Sequence, residues 1–161
     1  MANITDVKTD RMRYTKNSTS ATLAYLSIAF NAIYFISVYH TDVKNYYYNL
    51  EIGVSVVYNL LFMLFVFLAS EGVKSYDLKY SYILAGIGAL QLVRILGIPL
   101  TAYFTFIEVK KNEYLQAMEL DQFILCSACL VLSAACAIIG GIIAYNKTNK
   151  LRKYEKTLVS E

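Results

Sequence analysis

FILCSACLVLSAACAIIGGIIAY, Phe123 to Tyr145, runs for twenty-three residues without a charged side chain and without Asn, Gln or His. As a helix it measures about 35 Å, enough to cross a hydrocarbon core of about 30 Å. Inside lipid each backbone amide has to be satisfied within its own segment or in a closed barrel. A barrel strand needs only about ten residues of alternating polarity, so a run this long and evenly apolar is a membrane helix.

Three further runs have the same character: Ala21 to Tyr39, Ile52 to Ala69 and Tyr82 to Ile107. Four spans then account for most of the 161 residues. Composition agrees, with 57% hydrophobic and only 17% charged residues and a mean hydropathy of +0.44, where soluble domains carry about 25% charged residues. The expected fold is an all-α membrane protein, a single domain over 1–161 built as a four-transmembrane-helix bundle, with short basic tails at 1–20 and 146–161. The first run follows basic residues, as a signal peptide would. It is too long for an h-region of about 7 to 15 residues, and ISVYHTDVK at its end offers no small-x-small cleavage site, so it reads as a retained helix.

Four spans put the N-terminal segment, the middle loop and the C-terminal segment on one side. Lys8, Arg11, Arg13, Lys16, Lys74, Lys79, Lys147, Lys150, Arg152, Lys153 and Lys156 fall there, against Lys44, Lys110 and Lys111 opposite. By the positive-inside rule both termini are expected in the cytoplasm, in a multi-pass protein of the cytoplasmic (plasma) membrane. Tyrosines cluster where spans meet headgroups, at Tyr46, Tyr47 and Tyr48 on one side and Tyr76, Tyr80 and Tyr82 on the other, as amphipathic rings do. The basic tails are expected to sit near anionic lipid headgroups, each cation contributing about 1 kcal/mol. Sequons at Asn3, Asn17 and Asn146 lie on the side where no glycosylation occurs and read as chance matches.

Small and weakly polar residues recur three and four apart within the spans, which collects them on one helix face. Ser20, Ala24, Ser27 and Asn31 form one stripe; Glu51, Ser55 and Asn59 another; Ser81, Ala85 and Ala89 a third; Cys126, Cys129, Ser133, Cys136 and Gly140 a fourth. Stripes of this kind let membrane helices approach closely and hydrogen-bond to one another. The three cysteines lie inside a span, where neither a disulfide framework nor deprotonated thiolate ligands are favoured, so packing is their expected role and no metal or other cofactor is expected.

Arg94 differs in kind. In LQLVRILGIPL, Leu90 to Leu100, it sits about 18 Å into the third span counted from Tyr82, at a depth where a cation costs roughly 2.5 to 3.5 kcal/mol. No acidic residue shares that depth, and Glu51 leans away from it. The neutral candidates are Gln91 one turn below, Asn31 and Asn59. Pro99 lacks an N–H and, with Gly97, is expected to kink the helix and free a carbonyl. The charge is met by that local set, by an acid on another subunit, or by an anionic ligand.

Catalysis calls for acid–base or ligand clusters, and proton coupling for an intramembrane carboxylate or histidine; the spans hold none of these. The sequence therefore points to a non-enzymatic membrane protein with no nucleic-acid partner. The favoured expectation is a subunit or accessory component of a larger membrane complex, or a homo-oligomer, with Arg94 engaging a partner or an anionic ligand. The alternative is a small oligomeric transporter or channel with a midplane polar site for an anionic or amphipathic solute.

Overall fold

A computed structural model describes residues 4–38, 46–97, 99–100, 103–104 and 120–159, with side chains described for all of these except 4–6, 46–52 and 159. Every regular element among them is helical: α1 (Ile4–Met12), α2 (Ser18–Val38), α3 (Tyr46–Lys74), α4 (Leu78–Leu96) and α5 (Leu120–Val159). The side chains of Tyr46 to Tyr48 and Glu51, and most of the segment between Leu100 and Leu120, fall outside the described residues. Three helices are long and apolar enough to cross a membrane: α2, the Gly53–Lys74 part of α3, and α5. The described part of α4 does not reach that mark, because Lys79, Gln91 and Arg94 dilute it.

Packing runs around a ring in which α2 touches α3 and α5, and α4 touches α3 and α5, with α3 and α5 nearly apart across the middle. The α5 contacts are close because glycines make them so. A Cβ at Gly141 would come within 2.9 Å of the Ser81 carbonyl oxygen, and one at Gly88 within 3.1 Å of that of Ala134. Burial inverts the soluble pattern. Ser20, Ser27, Asn31, Asn59, Gln91 and Ser133 are buried, while Val54, Leu60, Leu64, Phe65 and Leu68 along α3 face outward. A contiguous apolar exterior of this extent is what lipid solvates.

The turn joining α3 to α4 is fully specified by its hydrogen bonds. Asp77 N–H donates to the Gly72 carbonyl at 3.2 Å and Tyr76 N–H to that of Val73 at 3.2 Å, the paired pattern of a Schellman cap. Tyr76 occupies the left-handed position with φ 57°, where glycine is the usual choice. Asp77 then caps α4, its carboxylate accepting from the Lys79 N–H at 3.1 Å.

Two segments read from sequence as tails are helical instead. Residues 4–12 form α1, and α5 continues past Tyr145 to Val159, through a stretch rich in the helix formers Lys, Arg, Leu and Glu. α1 packs against α5, and Leu151 on the extension is buried. The Asn17 sequon is a joint between elements. Buried Asn17 donates its N–H to the Lys74 carbonyl at 3.2 Å and accepts from the Lys147 ammonium through Oδ1 at 3.0 Å.

Candidate functional site

The four residues singled out for charge compensation converge. Arg94 Nη1 donates to Asn59 Oδ1 at 2.8 Å and to Asn31 Oδ1 at 3.3 Å, and Nη2 reaches Ser55 Oγ at 3.5 Å. Asn59 is aimed by its own amide, which donates to the Ser55 carbonyl at 2.9 Å one turn earlier. Gln91 lies one turn before Arg94 on the same face, and its Nε2 donates to Asn31 Oδ1 at 2.9 Å. Asn31 Oδ1 therefore accepts from both α4 residues.

Two residues that sequence reasoning passed over complete the cation's surroundings. The guanidinium carbon lies 4.5 Å from the Tyr34 ring centroid and 4.7 Å from that of Tyr58, so Arg94 is held against two π faces as well as amide oxygens. Tyrosines within apolar runs read as lipid-facing or interfacial. The usable signal was spacing, since Tyr34 is three residues beyond Asn31 and Tyr58 is next to Asn59.

A second arm of the network reaches α5. Ser133 Oγ donates to the Ser27 carbonyl at 2.9 Å, which commits its single proton. The Ser27 hydroxyl is then the donor in the 3.0 Å contact between the two hydroxyls. Gln91 Nε2 also approaches Ser133 Oγ at 3.4 Å. Ser133 thus belongs to the polar network as well as to the packing stripe in which the sequence placed it. Cys126 and Cys129 are buried in an apolar cluster with Tyr34, Val38 and Leu130, Cys136 is half-buried, and Gly140 admits α2, its Cβ position lying 3.3 Å from the Ser20 carbonyl oxygen. On α4, Ser81 is buried and Ala85 half-buried, while Ala89 faces outward. Gly88 and Gln91 take over that face.

The kink expected from Gly97 and Pro99 takes the form of a stop. α4 ends at Leu96, and Gly97, at ψ −111°, turns its N–H back to the Arg94 carbonyl. Pro99 is buried, with helical backbone at 99–100. Arg94 consequently lies in the last turn of α4, where the carbonyl end of the helix dipole adds about 0.3 to 1 kcal/mol in favour of a cation.

Chain order shows how the site is enclosed. The cluster of Ala24, Phe62, Val66, Leu84, Ala137 and their neighbours lies on the side nearer α1 and the α3–α4 turn. The cluster of Tyr34, Val38, Cys126, Cys129 and Leu130, with Ile95 and Phe123 against it, lies on the other. Between these two plugs the site opens sideways, into a cleft of about 520 Å³ between α3 and α4 lined by Val54, Ser55, Tyr58, Leu90, Val93, Arg94 and Gly97. Among the described residues Arg94 is its only charged lining residue. Deeper in, the buried Asn31 Nδ2 and Gln91 Oε1 have no hydrogen-bond partner among the described residues.

The arrangement suits binding an anion. The guanidinium offers N–H donors and a positive charge, and the surrounding amides and hydroxyls orient it. Among the described residues no three His, Cys, Asp or Glu side chains converge to hold a metal. The chain matches no family model, and no curated protein or solved structure is similar to it.

Proposed function

We propose that this chain is a non-enzymatic subunit or accessory component of a larger membrane complex, in which Arg94 receives a carboxylate carried by a neighbouring transmembrane helix. One observation carries the reading: a cation on the floor of a largely apolar cleft that opens sideways between α3 and α4, with no other charged lining residue among the described ones. Neutral dipoles and ring faces hold the guanidinium in place without cancelling its charge. A helix with apolar side chains and one acid, laid along Val54, Leu90 and Val93, complements both the cleft wall and its floor. In this reading α4 is the third of four spans, and the basic end lies in the cytoplasm.

Photo-crosslinking from Leu90 and Val93 in native membranes is expected to trap one specific partner, and Arg94→Leu to abolish the adduct while the isolated variant stays folded. If the wild-type chain purifies alone and no adduct forms at either position, the reading fails. The competing reading, a small oligomeric transporter or channel, needs an aqueous route to Asn31 and Asn59, which the two apolar plugs oppose. Cysteines placed at those positions, in a background lacking the native thiols, are expected to resist water-soluble maleimides from both sides of the membrane.

A further inference from the structure

We propose that a crevice at the basic end binds the phosphate group of an anionic membrane lipid. The crevice, about 490 Å³, lies where the α1–α2 linker, the α3–α4 turn and the α5 extension meet, and Arg13, Lys16 and Lys74 line it against one acid, Glu155. Its cations come from two segments brought together by the fold, the α1–α2 linker and the end of α3, and a phosphate group complements that basic lining.

Lys74 is positioned by its neighbours. Its ammonium pairs with Glu71 and donates to Tyr25 Oη at 2.8 Å, which leaves one of its three donors for a ligand. Arg13 reaches Asp10 at 3.5 Å with both side chains well exposed, a contact weak enough to exchange for a phosphate. Ser75 and Tyr76 add the polar rim of the turn.

Depth selects a lipid as the source of that phosphate. Leu64 and Leu68 on α3 face outward, and Lys74 lies about 9 Å further along the helix from Leu68. A glycerophospholipid with its acyl chains along those leucines brings its phosphate to the level of Lys74. Lys153 and Lys156 flank Glu155 on the α5 extension without lining the crevice themselves.

The test is native mass spectrometry on the delipidated full-length chain in neutral detergent, titrated with phosphatidic acid, phosphatidylcholine of the same chains, and inorganic phosphate. One phosphatidic acid is expected to bind in preference to phosphatidylcholine. Arg13→Gln with Lys16→Gln, both exposed and neither supplying a hydrogen bond to the Lys74–Glu71–Tyr25 knot, is expected to weaken it about thirtyfold. Lys153→Gln with Lys156→Gln, which removes the same charge from side chains that do not line the crevice, is expected to weaken it clearly less than the first pair does. Equal losses in the two pairs, equal binding of phosphatidylcholine, or inorganic phosphate binding as tightly as the lipid would each overturn the proposal.

Discussion

Arg94 and Asn59 form one contact, yet deleting one or the other is expected to have unequal consequences. Asn59→Leu removes the 2.8 Å acceptor and leaves the cation under-solvated, a loss of about 1.5 to 3 kcal/mol. Arg94→Leu removes the charge itself and strands only neutral oxygens, so the stability of the isolated chain is expected to change by no more than about 1 kcal/mol. Arg94→Lys is expected to resemble Asn59→Leu, because an ammonium lacks the planar fork that reaches Asn59 and Ser55 while stacking between Tyr34 and Tyr58. Thermal unfolding of the three variants in one detergent orders them directly. At this scale the sequence was informative wherever a polar residue interrupts an apolar run, and Asn31, Asn59, Gln91 and Arg94 all announced themselves that way. Tyr34 and Tyr58 did not, because a tyrosine is equally at home against lipid, headgroup or cation. Asn17 was hidden by a sequon, since burial of its side chain is a tertiary property.

Between elements, space and backbone conformation decide what is tolerated. Gly86 has nothing within 4 Å of a Cβ, whereas at Gly141 the Cβ meets the Ser81 carbonyl oxygen at 2.9 Å and the Ala85 nitrogen at 3.0 Å. Gly86→Ala is therefore expected to be neutral or stabilising by up to about 1 kcal/mol, and Gly141→Ala to destabilise by about 1 to 3 kcal/mol as α4 and α5 are pushed apart. At the turn, Tyr76→Gly is expected to relieve about 1 kcal/mol of left-handed backbone cost, less the entropy glycine loses on folding. The same unfolding measurement reads all three. Small-residue spacing foretold that the spans pack closely. It missed the pairing of faces on α4, where Ala89 looks outward and Gly88 inward, because both lie within a uniformly apolar and small stretch.

For the whole molecule, helices long and apolar enough to cross a membrane were legible from run length alone, since lipid punishes unsatisfied backbone in a way that sequence cannot disguise. Where helices stop was less so. Hydropathy marks the edge of the hydrocarbon, and α5 ignores that edge because its charged continuation is as good a helix as its apolar part. Orientation is open to measurement. A cysteine at exposed Thr157, in a chain whose native thiols lie inside the proposed fourth span, is expected to react with an impermeant maleimide in inverted vesicles and not in intact cells. Labelling in intact cells would reverse the proposed topology.

An unbroken helix of 40 residues also acts as a shaft. Each residue added to a helix turns everything beyond it by about 100°, so one alanine inserted after Tyr145 would swing Arg152, Lys153 and Lys156 about a quarter-turn around the axis. The contacts of Gly88 and Gly141 would keep their register, while the Lys147 bond to Asn17 would be lost. Azimuth, as much as charge, is thus something the membrane portion of α5 dictates to its far end.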